Sequence, residues 1–259
     1  MKCNYHNHTY RCGHASGTEE EYIKKAISEG IRTLGFSDHT PYIFPNGFVS
    51  YSRMDISEMP GYFSTLFGLK EKYRGYIDIH IGFEAEYYPR YFDTLLAEYR
   101  KYPLEYLVYA GHNIGHEGAE DCFCGFDKTE DEGRLIAYTD MAIRAIQTGR
   151  FTFIAHPDMM HFVGECDLYR SECARLCREA KRLGVPLEIN LNGIRDRRFY
   201  PNPEFWEIAG WVGCDAVIGF DAHTVKHVAD TEEIIAGLRF ADRYKLNVLD
   251  ELKLVNPLF

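Results

Sequence analysis

The first strand-like stretch sets two imidazoles two residues apart, His6-Asn7-His8, and His14 follows one short loop later. On an extended strand, residues of like parity share a face, so His6 and His8 can converge on one metal ion. Further ligating side chains stand at the exits of later apolar segments: His39, Glu84, His112, His156, Asp221 and His223. Imidazole and carboxylate together suit zinc, manganese or iron better than magnesium or calcium. Nine such ligands exceed what one tetrahedral ion takes and suffice for two or three. Ions sharing a carboxylate, roughly 3.5–4 Å apart, can clamp an in-line displacement at phosphorus. A lone His39 or His112 would read as a core histidine and Asp221 as a turn residue, but nine such residues at strand exits do not. His80 lies mid-strand, and His116, His161 and His227 lie away from the exits, so these four are read as structural.

The elements that must position these ligands alternate. Met1–Thr9 reads as a strand. Thr18 and Glu21 form a capping box for a helix with an Ala26-Ile27-Ile31 stripe, ended by Gly30. Thr33–Ser37 is a second strand, which delivers Asp38 and His39; a long polar and aromatic loop, 40–57, follows with Pro41, Pro45 and Gly47. Ser57–Tyr73 and Arg90–Lys101 read as helices on either side of a strand, Tyr76–Glu84; Glu105–His112 is the fourth strand. After a Gly- and acid-rich loop, 115–131, come a helix to Thr148, a strand Phe151–Ala155, a charged amphipathic helix Tyr169–Leu183 capped by Gly184, and a strand Val185–Leu191 running into Asn192–Arg195. Pro203–Gly210 is helical, Asp215–Phe220 is the seventh strand, and Thr231–Tyr244 is the last helix, with the tail to Phe259 expected on the outside.

Strand and helix alternating about seven times predict a parallel α/β fold. A closed barrel is preferred to an open doubly wound sheet, because a barrel brings every strand exit to one face. The expectation is one domain over residues 1–259, a distorted (β/α)7 TIM-like barrel. The formal net charge of -10 argues against a broad surface for long nucleic acid. No apolar run approaches membrane-spanning length and no secretory signal is seen, so a cytoplasmic protein with no membrane partner is expected. The eight cysteines include no C-x-x-C pair and read as free thiols; Cys122-Phe123-Cys124 is the place to watch for oxidation.

Taken in order, His6-x-His8, His14, Ser37-Asp38-His39, Gly82-Phe83-Glu84, Gly111-His112-Asn113, Ala155-His156-Pro157-Asp158 and Phe220-Asp221-Ala222-His223 resemble the motifs of the polymerase-and-histidinol-phosphatase (PHP) superfamily, from Met1 to about His223. The resemblance implies a distorted barrel with a trinuclear centre. His6, His8, Glu84 and Asp221 would hold one ion, Glu84 would bridge to a second held by His112 and His156, and His14, His39 and His223 would hold the third. The stretch Glu188–Arg195 looks like the histidinol-phosphate phosphatase branch. That branch often carries a basic residue after His-Pro-Asp, where this chain has Met159-Met160-His161-Phe162.

The expected reaction is hydrolysis of a small phosphorylated metabolite, histidinol phosphate first, by a metal-activated water, releasing inorganic phosphate. Glu84, Asp221 and His223 are expected to carry the chemistry. Arg195 is the candidate phosphate grip, whereas Arg197 and Arg198 read as a solvated basic loop. Glu86 is the candidate partner for a substrate cation, with a structural salt bridge as its alternative, and Tyr42 and Phe44 are candidates to stack on a ring. Asp158 is a candidate proton donor. The competing readings are a nucleotide phosphoesterase or exonuclease on the same site, a non-catalytic metal-binding module, and an amidohydrolase; against the last, no lysine stands at a strand exit. The oligomeric state is not legible.

Overall fold

The alternation of apolar segments and amphipathic helices is what the chain folds into in the computed structural model, which describes residues 1–44 and 47–259. Pro45, part of the 40–57 loop expectation, lies outside the described residues. The strands are β1 (Cys3–Asn4), β2 (Thr33–His39), β3 (Asp78–Ala85), β4 (Tyr106–Tyr109), β5 (Asn113–Ile114), β6 (Phe123–Cys124), β7 (Phe153–Ile154), β8 (Leu187–Asn190), β9 (Asp215–Gly219) and β10 (Asn247–Val248). The helices are α1 (Glu19–Ser28), α2 (Met59–Lys72), α3 (Pro89–Tyr99), α4 (Glu132–Gln147), α5 (Cys166–Leu183), α6 (Leu191–Arg195), α7 (Pro203–Val212) and α8 (Thr231–Arg243). No helix among the described residues is long and apolar enough to cross a membrane.

Eight strands form one curled, all-parallel sheet in the order β1-β2-β3-β4-β7-β8-β9-β10. Sequential neighbours joined through helices are the rule for right-handed β-α-β crossovers. The seven predicted strands are all present. The first is shorter than read: its ladder ends at Asn4, and the chain crosses instead to the exit of β9, where Asn7 bridges Ala222. The His8 amide donates to Ala222 O at 3.0 Å, and the Ala222 amide to His6 O at 3.3 Å. The ring is thus closed at the strands' C-terminal end. At the other end β10 adds to β9, and Leu252 is buried beside Tyr5. Leu249, Leu252 and Leu254 of the tail therefore pack on the floor of the barrel, whereas the end of the tail stays outside as expected, with Phe259 exposed.

The local signals act as read. Thr18 and Glu21 make a capping box at α1, and Gly184 ends α5 in the left-handed region at φ 67°. The β8 strand stops at Asn190 because its side chain caps α6, accepting from the Gly193 amide at 2.9 Å. The 115–131 loop contains β6, which pairs with β5 as a short antiparallel hairpin.

Two apolar layers result. The larger lies between the sheet and its helices. The smaller fills the barrel with Tyr5, Tyr106, Val108, Ala110, Phe153, Ala155, Val217 and Leu252. Tyr106 is its plug: fully buried, it crosses the interior and donates to Tyr5 O at 2.8 Å. Its ring occupies the space beside Gly35 and Gly82; a Cβ on Gly82 would stand 2.5 Å from its Cε1, and one on Gly35 2.3 Å from its Oη. Gly82→Ala should therefore overpack the interior and cost about 1–3 kcal/mol or more, read as a lower urea midpoint with unchanged slope.

Candidate metal centre

The ring closure and the parallel register gather the strand exits around one carboxylate. In the β2–β3 register His39 stands beside Glu84, and its Nδ1 lies 2.8 Å from Glu84 Oε2. The same carboxylate is 2.9 Å from His156 Nε2, 3.4 Å from His6 Nε2, 3.5 Å from His112 Nε2 and 3.7 Å from His8 Nε2. Asp221 forms a second focus, with Oδ1 3.1 Å from His8 Nε2, 3.4 Å from His223 Nδ1 and 3.8 Å from His6 Nε2. His14 Nε2 and His223 Nε2 are 3.0 Å apart at the more exposed edge. All nine predicted ligands are brought together. Three-residue sets with converging ligand atoms include His6-His8-Asp221, His8-His39-His223 and His39-Glu84-His112. Cys12 joins two further sets, one with His14 and His223 and one with His8 and Asp38.

The supporting atoms decide which way the imidazoles face. His6 Nδ1 meets Glu188 Oε1 at 2.7 Å and His112 Nδ1 meets Glu86 Oε1 at 2.8 Å. His14 Nδ1 meets Cys12 O at 2.9 Å and His223 Nδ1 meets Asp221 O at 3.0 Å. A carbonyl only accepts, so Nδ1 carries the proton in His14 and His223, and each Nε2 presents a lone pair. Two lone pairs 3.0 Å apart cannot hydrogen-bond to one another; a cation shared by both resolves the conflict. The Nε2 atoms of His6 and His8, 3.2 Å apart, are disposed alike around the acidic foci. Glu84 Oε2 and His156 Nδ1 are buried without a well-aligned hydrogen bond among the described residues. An acid- and imidazole-lined cluster with outward-held Nδ1 protons fits divalent ions with nitrogen and oxygen preference.

The protonation balance agrees. Burial opposes charge on Glu84, yet His112, His39 and His6 outweigh it and hold the carboxyl well below its usual range. Burial likewise works against charged Asp221, and His6 and His8 carry it well below. Burial opposes an imidazolium at His8, but Asp221 and Asp38 lift it to about 9. Burial and the nearby His8 push His223 down to about 3, leaving it a neutral donor. Two exits sit in the left-handed region without being glycine, His156 at φ 28° and Asp221 at φ 48°. Strain of this kind is concentrated at functional sites. Here it is held by the His156 amide donating to Glu188 Oε2 at 3.0 Å and by Asn190 and Asn192 donating to Asp221 Oδ2 at 3.2 and 3.0 Å.

A cavity of about 720 Å³ opens above the cluster. Arg195 lines it, with Nε on Asp196 at 3.1 Å and a second bond to Asn192 Oδ1. Arg198 lines it too, from an exposed position, as the solvated-loop reading has it, and is held by Tyr200 Oη at 2.9 Å and Asp196 at 3.1 Å. The turn at Arg197, φ 53°, folds the two flanking guanidinium groups back over the site. Glu86 is corrected from substrate partner to its alternative, a structural ion pair: it is buried between Arg53 and His112. Tyr42 is corrected as well. Its hydroxyl donates to Glu86 O at 2.5 Å and its ring stacks on Phe44, outside the cavity. Phe48, Tyr51, Phe126 and Tyr200 supply the cavity's aromatic wall instead. Asp158, the candidate proton donor, does not line this cavity: its Oδ2 accepts from Trp206 Nε1 at 3.0 Å beside a smaller apolar pocket. His80, His116, His161 and His227 stay away from the cluster: His80 and His227 pair with Glu105 and Glu233, and His116 and His161 pack on Phe44 and Phe199. Glu188 was not singled out as a site residue. Its signal was a charged side chain in an otherwise apolar strand, two residues before Asn190.

Because Glu188 holds both His6 Nδ1 and the His156 amide, Glu188→Gln should weaken ion binding about 10–100-fold with little change in secondary structure. Competition against a chromophoric chelator, alongside far-ultraviolet circular dichroism, would measure both.

Comparison with known proteins bears on the chain as a whole. The "Probable histidinol-phosphatase" of Deinococcus radiodurans is 27% identical over 94% of this chain and 91% of its own length. The "Histidinol-phosphatase" of Bacillus subtilis is 30% identical over 35% of each chain. The fold matches that of histidinol phosphate phosphatase from Lactococcus lactis, solved with zinc, L-histidinol and phosphate, at a TM-score of 0.72, with 19% identity over 99% of this chain and 97% of that one. The model of the PHP domain matches residues 4–192, and the chain belongs to that family.

Proposed function

We propose that the protein is a metal-dependent phosphomonoester hydrolase acting on histidinol phosphate, with two or three zinc, manganese or iron ions held by His6, His8, His14, His39, Glu84, His112, His156, Asp221 and His223. The observation that carries this reading is the set of imidazoles whose Nδ1 protons are held outward, leaving Nε2 lone pairs turned on Glu84, Asp221 and one another. Support comes also from the Deinococcus and Bacillus relatives, named for this activity. Bound ions would supply an acidified water and neutralise charge on the phosphoryl oxygens.

The chain's own groups set the geometry. Glu84 lies between the His39, His112 and His156 side and the His6 and His8 side, which suits a bridging carboxylate. Asp221 and His223 border the opening to the cavity. Arg195 and Arg198 present guanidinium groups from one wall, where a phosphoryl group can be gripped bidentately. They take the place of the basic residue missing after His156-Pro157-Asp158. Phe48 and Tyr51, which also line the cavity, offer faces for an imidazole ring. A walled cavity on a chain of net charge -10 favours a small metabolite over a polynucleotide.

Protein stripped with chelator should lose phosphomonoesterase activity and regain it with Mn²⁺ or Zn²⁺. Histidinol phosphate should exceed a nucleotide bisphosphate and a short oligonucleotide in kcat/KM. Turnover that survives complete ion removal, or a preference for the oligonucleotide, would overturn the reading. Arg198→Ala should raise KM for histidinol phosphate about 10–100-fold, the loss of a charge-assisted contact, with ion binding retained.

A further inference from the structure

We infer that Arg53 is a positioning residue for the metal centre, acting through Glu86 on His112; the inference rests on reading the cluster as a metal site. Arg53 belongs to the segment between β2 and α2, far in sequence from every ligand, yet its side chain is only 4% exposed. A guanidinium buried to that extent needs partners, and three residues supply them. Nη2 donates to Glu86 Oε1, Nε to Glu117 Oε2 at 2.9 Å, and Nη1 to Thr40 O at 3.2 Å.

The same oxygen, Glu86 Oε1, receives His112 Nδ1 at 2.8 Å. Its other oxygen, Oε2, is buried with no hydrogen bond among the described residues. The Glu86 carboxylate is thus held by one atom, between a guanidinium and an imidazole. That hold matters because Glu86 sets the His112 tautomer: with Nδ1–H donated to Glu86, the Nε2 lone pair faces Glu84, 3.5 Å away. Without Arg53, Glu86 and Glu117 would share a buried space with no cation between them. Turning Glu86 aside relieves that repulsion and frees His112 to rotate or change tautomer. Glu86→Gln tests the next link directly, since an amide can still accept but binds the guanidinium more weakly.

Arg53 also lines the cavity, so direct contact with substrate is the rival account, and ion affinity separates the two. The full chain is stripped and titrated with Mn²⁺ in the absence of substrate. R53M should bind Mn²⁺ about 10–100-fold more weakly, with kcat reduced and KM for the phosphomonoester changed by less than about twofold. R53K, which restores a cation beside Glu86 but not the fork, should fall between R53M and the wild type. In an E86Q background, R53M should add no more than about a twofold further loss, the non-additivity expected of residues acting in series. Wild-type Mn²⁺ affinity in R53M with a raised KM would overturn the inference in favour of a substrate contact. If R53M does not fold, R53K decides: severalfold weaker Mn²⁺ binding supports the inference, and wild-type affinity overturns it. A wild-type chain that binds no Mn²⁺ would instead remove the metal-site reading and this inference with it, so the two failures are distinct.

Discussion

One buried carboxylate organises this protein. Glu84 is 1% exposed and lies within 4 Å of five imidazoles that arrive from four other strand exits. A lone ionised carboxylate in such a place would be very costly to bury. It is sustained because His112, His39 and His6 lie against it and offset the cost of burial, and because the cluster as a whole is suited to cations. Four imidazoles of the cluster are in turn held by an outer acceptor: Glu188 for His6, Glu86 for His112, and main-chain carbonyls for His14 and His223. The acidic centre and its basic ring therefore stabilise one another, and neither arrangement makes sense without the other.

The barrel is shaped to allow this. Its interior below the cluster is filled by Tyr106 and its apolar neighbours, which keeps water out from beneath and leaves the cavity as the way in. Glycines stand where bulk would collide with the plug or with the supporting groups. A Cβ at Gly219 would lie 1.7 Å from Glu188 Oε1, so the smallest residue at the end of β9 is what lets Glu188 reach His6. Closure of the ring by the Asn7–Ala222 bridge brings His6 and His8, just past the first strand, against Asp221, just past the last predicted one. The left-handed conformations at His156 and Asp221 then aim both side chains inward, held there by Glu188, Asn190 and Asn192.

The cavity wall shows how a chain of net negative charge sets guanidinium groups beside its acidic cluster. Asp196 sits between Arg195 and Arg198 and holds both guanidinium groups at the opening. Arg53 is used differently: its charge is consumed between Glu86 and Glu117, beneath the loop that follows β2. Three arginines in one cavity thus do different work, and the difference lies in which carboxylates each one meets.

The amino-acid sequence by itself determined the order of strands and helices, the caps at Thr18 and Gly184, and the imidazole and carboxylate side chains at the strand exits. These are local properties, carried by periodicity, by side-chain chemistry and by position relative to apolar runs. It also made a closed barrel the economical arrangement, since only closure brings exits of distant strands together. The tertiary structure alone decided what depends on contacts between distant segments. Glu86 looked like a substrate partner because its parity with Glu84 was visible, whereas the Arg53 that occupies it arrives from another loop. Arg198 is exposed, as read, but nothing local reveals that it also borders the cavity. Tyr42 and Asp158 were drawn inward by chemistry and placed elsewhere by packing, on Phe44 and on Trp206. The short first strand, the tail on the barrel floor and the role of Glu188 all follow from how the ring closes, and ring closure is a sum of long-range hydrogen bonds that no window of sequence contains.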